Sequence, residues 1–278
     1  MSNLKYFVIA DVHGQYDNLM KLVRFLRKKK DFNLKKNRHQ RLVQLGDRCD
    51  RGPDSFRVNN YFKKLQERYP DQVILLRGNH EDLLLDAIAM SDMYLFKMNG
   101  GNKTIDSYGK ASGAYGQAAF KRAICYKQHY SWIKEQPYYY ETEDYFFSHA
   151  PIPKMDYRGT EKEIDFRQSR SLLTWSYQPF AEIKWVDKDP TEEGKVCVYG
   201  HIHGLTSVYD HKLDKRVLIE PGVRKYGNAI LADTGSGCVR GESGTLSCLI
   251  LPEQTVINSK GEEYQVKEIK ENDTSEES

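Results

Sequence analysis

The stretch Arg41–Tyr69, RLVQLGDRCDRGPDSFRVNNYFKKLQERY, decides the fold. It opens as an apolar strand, stops at a charged cluster holding Asp47, Asp50 and Arg51, and resumes as a helix. Phe56, Tyr61, Phe62 and Leu65 share one face of that helix. The same unit precedes it: KYFVIAD ends at Asp11, and QYDNLMKLVRFLRKKK sets Leu19, Leu22, Val23 and Leu26 on one face. A third apolar run, QVILLRGNH, ends at His80. Continuous apolar runs of strand length, alternating with amphipathic helices, predict a parallel α/β sheet buried on both faces.

Beyond it, residues 93–136 read as a less regular helical insertion covering one edge of the site. A strand-rich half follows, in YYYETEDYFFSHA, KVCVYGH, RVLIEPG, NAILADT and TLSCLILP. Its close Gly and Asp turns favour mixed or antiparallel pairing. We expect one domain over residues 1–258 and an acidic, mobile tail over 259–278 that has little to bury.

Composition excludes several classes. With 42 basic and 39 acidic residues the formal charge is +3, which predicts no specific nucleic-acid partner and no anionic membrane surface. No apolar run approaches the roughly 20 residues of a membrane span. The five cysteines are scattered, so a disulfide framework is not expected, and the start MSNLKYFVIAD lacks a signal-peptide layout. A cytoplasmic protein is the resulting expectation.

Polar clusters end the first three strands: DVHG from Asp11, GDRCDRG from Gly46 and RGNHED from Arg77. Ligands of open α/β sheets bind beyond the carboxyl ends of strands, so these clusters are expected to converge. FFSHAP and VYGHIHG bring His149, His201 and His203 to two later strand ends. Five of eight histidines thus join Asp11, Asp47 and Asn79, a set poorly explained by chance. Carboxylates, imidazoles and one amide oxygen suit divalent manganese, iron or zinc. The donors outnumber one ion's needs, and two ions bridged by one carboxylate can clamp both oxygens of a phosphoryl displacement.

DVHG, GDRCDRG, RGNHE, SHA and GHIH, in that order, resemble the signature blocks of the calcineurin-like metallophosphoesterases. Their forms are most similar to the phosphoprotein phosphatase branch, in its compact bacterial and phage members of the phage lambda phosphatase type. The resemblance implies a two-sheet β-sandwich flanked by helices, and a dinuclear enzyme holding manganese, iron, zinc or nickel. It implies that Asp11 and His13 bind the first metal, that Asp47 bridges, and that Asn79, His149 and His201 complete the second. A water acidified by both cations would be the nucleophile. His80 would be the general acid, oriented by Asp50, with Arg51 as a bidentate phosphate clamp. Arg77 would be either a second clamp or a salt-bridged brace.

There are two departures. That branch carries a second phosphate arginine just after a tryptophan, whereas Trp175 is followed by Ser176 and Tyr177. Arg167, Arg170 or Tyr177 could substitute. His203, commonly missing from the branch, is expected as a further ligand to the first metal. The function expected is hydrolysis of phosphoserine or phosphothreonine in proteins. Two alternatives are hydrolysis of a dinucleoside polyphosphate and a non-catalytic phosphate-binding module. Tyr138–Tyr140 read as sheet packing, or as a nucleobase platform if they sit at a pocket rim. His129 and His211 have no partner legible in sequence.

Overall fold

The computed structural model describes residues 4–151, 170–175, 194–202, 207–210, 215–218, 222–237 and 244–268. Its first elements are β1 (Lys5–Ile9), α1 (Tyr16–Lys29), β2 (Gln40–Gln44), α2 (Ser55–Arg68), β3 (Val73–Leu75) and α3 (Asn79–Ala89). Then come α4 (Tyr94–Phe96), a π turn (Lys97–Gly101), α5 (Asn102–Ser112), α6 (Gln117–Tyr126) and α7 (His129–Lys134). The next are β4 (Tyr139–Glu141), β5 (Tyr145–Ser148), α8 (Arg170–Trp175), β6 (Val196–Tyr199), β7 (Ser207–Asp210) and β8 (Lys215–Leu218). Last are β9 (Arg224–Tyr226), β10 (Ala229–Leu231), β11 (Ser247–Leu251), β12 (Thr255–Asn258), β13 (Glu263–Gln265) and β14 (Lys267–Glu268).

Among the described residues the strands form two six-stranded sheets, ordered β13-β12-β11-β1-β2-β3 and β14-β9-β10-β6-β5-β4, with β7 and β8 as a separate ribbon. β1, β2 and β3 are parallel with β2 in the middle, as the alternating pattern predicts. Alternation along β1 shows why its sequence is apolar throughout. Phe7 and Ile9 pack with Leu19, Leu22, Leu26, Val58 and Phe62 of the helical layer. Tyr6, Val8 and Ala10 pack with Phe147, Val198 and Ile230 of the second sheet. Both faces of the strand are covered, each buried large side chain contributing about 1.5–3 kcal/mol. The parallel trio β5, β6 and β10 supplies most of the facing layer.

Two expectations need correction. The run QVILLRGNH is strand only over Val73–Leu75, and Asn79 and His80 open α3 instead of closing a strand. Glu81 causes the switch by accepting the Gly78 N–H at 2.9 Å, which satisfies a donor at the helix start. TLSCLILP pairs antiparallel, as expected of its half of the chain, and does so with β1 of the first sheet as β11. Its five residues are all buried, which suits an inner position. Finally, residues 263–268 are not a free tail, for β13 pairs with β12 and β14 with β9. Residues 269–278 lie outside the described set.

α4, the π turn and α5–α7 occupy the stretch expected to be a helical insertion. The Gly100 carbonyl accepts the Arg51 N–H at 3.2 Å, which fastens this layer to the charged loop after β2.

Candidate active site

The loops after β1 and β2 interlock through backbone bonds. Val12 and His13 both donate N–H to the Asp47 carbonyl at 2.9 Å, and Gly14 donates to that of Arg48 at 2.9 Å. The loops turn so sharply that His13 (φ 45°), Asp47 (φ 55°), Asp50 (φ 70°) and Arg51 (φ 62°) are left-handed; so is His201 (φ 64°) after β6. Such a conformation costs a side-chain-bearing residue about 1–3 kcal/mol and persists only where surrounding contacts fix it. A Cβ at Gly78 would strike the Asp47 carboxylate, and one at Gly237 would strike the His13 ring. Glycine at these two positions lets the backbone close over the site.

The side chains converge. His13 Nε2 lies 3.8 Å from Asp11 Oδ2 and 3.5 Å from Asp47 Oδ2. His149 Nε2 lies 3.4 Å from Asp47 Oδ1 and 2.9 Å from Asn79 Oδ1. Asp47 therefore stands between two donor groups, one containing His13 and the other His149 and His201. All of these side chains are buried.

Tautomers show what the cluster can hold. Carbonyl oxygens of Cys49 and Leu45, each 2.9 Å away, accept from Nδ1 of His13 and His149. In the metal-binding form of either ring, Nε2 then carries a lone pair. Around His149 this brings three acceptors together: Nε2, Asn79 Oδ1 and Asp47 Oδ1. A cation resolves such a meeting, and the oxygen and nitrogen donors suit a divalent ion of intermediate hardness. The Asp11 carboxyl is pushed well above the usual carboxylate range by burial, then by Asp233 and Asp47. His13 is pushed well below its ordinary value by burial, then by His80 and Arg51. Crowded buried carboxylates beside a neutral imidazole leave positive charge to be supplied, and the residues fit two ions.

His80 belongs to a different arrangement. Its Nδ1 donates to Asp50 Oδ2 at 2.7 Å, and its backbone N–H to Asp47 Oδ1 at 3.0 Å. By distance alone His80 could join His13 and Asp47 around an ion. Burial lowers its proton affinity, but Asp47 and Asp50 outweigh burial and raise it overall. A raised imidazole with a carboxylate partner suits proton donation better than metal ligation. The Asp50 carboxyl is itself raised by burial, with the bonds from His80 and Thr104 opposing.

Arg51 places Nη1 3.1 Å from His13 Nε2 and Nη2 2.9 Å from His80 Nε2, so its guanidinium reaches the centre of the cluster. Arg77 does not. Its Nε donates to the Gln136 carbonyl at 3.0 Å, its guanidinium stacks 4.0 Å from the Tyr138 ring, and Asp82 lies 3.7 Å away. Of the two roles open to Arg77, its contacts fit the brace. Arg170 is likewise committed, to Asp82 at 2.8 Å and Asp86 at 2.7 Å, and ties α8 to α3. Arg167, Tyr177, His203 and His211 lie outside the described residues.

A family model, calcineurin-like phosphoesterase, matches residues 4–205. The chain belongs to that family. Over 171 residues this phosphoesterase is 33% identical to serine/threonine-protein phosphatase 1 of Salmonella typhimurium, spanning 61% of the chain and 67% of the relative. Among solved structures it resembles a cold-active protein-tyrosine phosphatase of a psychrophilic Shewanella, with TM-score 0.58 and 18% identity over 95% of this chain and 80% of that one. It also resembles a putative diadenosine tetraphosphatase, with TM-score 0.52 and 18% identity over 92% and 93%. At these identities the structures share the fold. Family members use divalent metals, in keeping with the donor groups around Asp47.

Several residues that position the phosphoesterase site were not singled out from sequence. Glu81 accepts N–H bonds from Asp47 (2.7 Å), Arg48 (2.8 Å) and Gly78 (2.9 Å), and so sets the loop carrying Asp47. An acidic residue in the first turn after a glycine was the available signal. The loop 232–237 also closes on the site, where Ser236 Oγ donates to the Asp11 carbonyl. Ser55, the first residue of α2, accepts the Asp50 N–H at 3.1 Å. Tyr139 stacks on Phe146 and Tyr140 on Phe147, the packing role.

Proposed function

We propose that this chain is a dinuclear metal-dependent phosphomonoesterase whose substrates are phosphoserine and phosphothreonine side chains of proteins. The observation that carries the reading is Asp47, one carboxylate facing His13 on one side and His149 on the other. Asp11, His13, Asp47, Asn79, His149 and His201 hold the two ions in this proposal, with His203 as a further ligand. When bound, the ions supply positive charge to the phosphoryl oxygens and acidify water.

The remaining steps belong to the protein. Arg51 turns its two N–H groups from His13 and His80 to the phosphoryl oxygens, a charge-assisted pair of bonds that fixes the phosphorus in line for attack. His80, protonated at Nε2, delivers that proton to the serine or threonine oxygen as the P–O bond breaks. Asp50 holds the ring through Nδ1 and favours the charged form. Burial of the cluster excludes bulk water and strengthens each of these interactions.

The similarity to serine/threonine-protein phosphatase 1 supports the protein substrate. A dinucleoside polyphosphate is the second reading, favoured by the likeness to a putative diadenosine tetraphosphatase. Against it, Tyr139 and Tyr140 are engaged in sheet packing and Tyr138 is stacked by Arg77, which fits the packing role and not the nucleobase platform. Manganese is the ion we assign. The free thiols of Cys49, Cys125, Cys197 and Cys248 favour a cytoplasmic setting.

The test is turnover of p-nitrophenyl phosphate, a phosphothreonine peptide and diadenosine tetraphosphate, with manganese and with chelator. Chelator-sensitive dephosphorylation of the peptide is expected. Preference for the dinucleotide would move the assignment to nucleotide hydrolysis, and metal-independent or absent turnover would overturn it.

A further inference from the structure

Thr104 lies in α5, fifty-four positions from Asp50, yet its hydroxyl meets that residue twice. Oγ1 accepts the Asp50 N–H at 2.9 Å and donates to Asp50 Oδ1 at 2.6 Å. The second carboxylate oxygen, Oδ2, receives the His80 Nδ1–H at 2.7 Å. Ser55 Oγ lies 2.9 Å from Thr104 Oγ1 and must be the donor there, because the single Thr104 proton is already committed to Asp50. All four side chains are fully buried, so no solvent competes for these bonds.

We infer that Thr104 is a positioning residue for proton delivery by His80. It acts through Asp50 and touches no substrate. The inference rests on the proposed role of His80 as proton donor. A carboxylate has rotational freedom about its Cβ–Cγ bond, and one hydrogen bond to His80 does not remove it. A second donor on Oδ1, fixed by a helix and oriented by Ser55, locks the carboxylate plane and hence the imidazole plane. The step assisted is the breaking of the P–O bond: its electron pair stays on the leaving oxygen, the Nε2 proton moves to that oxygen, and the imidazole is left neutral.

The alternative is that Thr104 merely docks α5, as Ser107 does by accepting the Phe56 N–H at 3.0 Å. Leaving groups separate the two, since a proton donor matters little when the departing oxygen is weakly basic and greatly when it is strongly basic. Manganese-loaded wild type, Thr104→Val, Thr104→Ser and Ser107→Ala are compared on 2,4-dinitrophenyl, p-nitrophenyl and phenyl phosphate, with thermal unfolding of each.

For Thr104→Val, kcat on phenyl phosphate is expected to fall on the order of tenfold with KM little changed, and kcat on the dinitrophenyl ester within about twofold of wild type. Thr104→Ser restores the phenyl phosphate rate, and Ser107→Ala leaves the leaving-group dependence unchanged. A second readout, taken on the proteins loaded with diamagnetic zinc, is the downfield proton signal of the Asp50–His80 hydrogen bond, expected to shift in Thr104→Val and not in Ser107→Ala. Uniform loss across the three esters, or an unmoved proton signal, would overturn the inference and leave a docking role. Should Thr104→Val fail to fold, Thr104→Ala is read by the same criteria. Asp50→Asn is the control: if it too leaves the leaving-group dependence flat, His80 is not the proton donor and the proposed mechanism fails first.

Discussion

Glu81 accepts the backbone N–H of Asp47 at 2.7 Å, so the carboxylate at the centre of the site is set by a second carboxylate anchored at the start of α3. Burial alone would raise Glu81, but Arg48 and the three N–H donors hold it below the ordinary carboxylate value. Glu81→Gln retains the shape, loses the charge and replaces one acceptor oxygen by a donor. We expect manganese affinity to weaken and stability to fall by about 1–3 kcal/mol. Calorimetric titration with manganese and denaturant unfolding check both, and an unchanged affinity would separate Glu81 from the site.

The two arginines predict opposite phenotypes. Arg51→Ala removes the guanidinium between His13 and His80, and kcat/KM for phosphomonoesters should fall about 10²–10³-fold. Arg77→Ala should leave KM within roughly twofold and instead lower thermal stability, since Arg77 binds Gln136, Tyr138 and Asp82. Equal kinetic losses in both would return Arg77 to phosphate binding.

Metal occupancy should be visible as stability. Asp11, Asp233 and Asp47 repel one another where they are buried, and cations that bind only the folded chain relieve that cost. Manganese at about one hundred times its dissociation constant should add about 2.7 kcal/mol per independent site, read as a chelator-reversible rise in Tm. Insensitivity of Tm to both manganese and chelator would contradict the proposed ligand set.

His129 predicts an acid-side weakness away from the chemistry. Burial, with smaller contributions from Lys63 and Lys127, pushes its imidazole down to about 4 from an ordinary 6.5. The unfolded chain therefore binds the proton more readily, and the stability due to neutral His129 is present above 6.5 and lost as pH falls toward 4. From roughly pH 7 to roughly pH 5 the wild type should lose about 2 kcal/mol more than His129→Gln. Parallel stability curves for the two would show that His129 is not depressed.

What the sequence made legible was whatever lies within a few residues of a strand end. Asp11, Asp47 and His149 follow β1, β2 and β5 within three residues, and a buried run that stops at a charge leaves that charge at the sheet's rim. Contacts between distant segments were not legible. Nothing near Thr104 marks it as a partner of Asp50, and nothing near Arg48 shows that it turns inward to Gln44 and the Leu76 carbonyl, both 2.7 Å away, while Arg51 turns to the site. His129 looked solitary because its partner, Tyr108, arrives from another helix at 2.6 Å. The sheet that receives β11 was hidden for a similar reason: an apolar run records that it is buried, and not against which neighbour.

The six residues 263–268 have a consequence of another kind. β13 is the outermost strand of one sheet and β14 the outermost strand of the other, so one short piece of chain shields two rows of backbone groups that would otherwise face solvent unpaired. Such rows recruit strands from neighbouring molecules. Clipping the chain just before Glu263 would bare β12 and β9 together, giving each molecule two adhesive margins, which is the condition for growth into an open-ended aggregate.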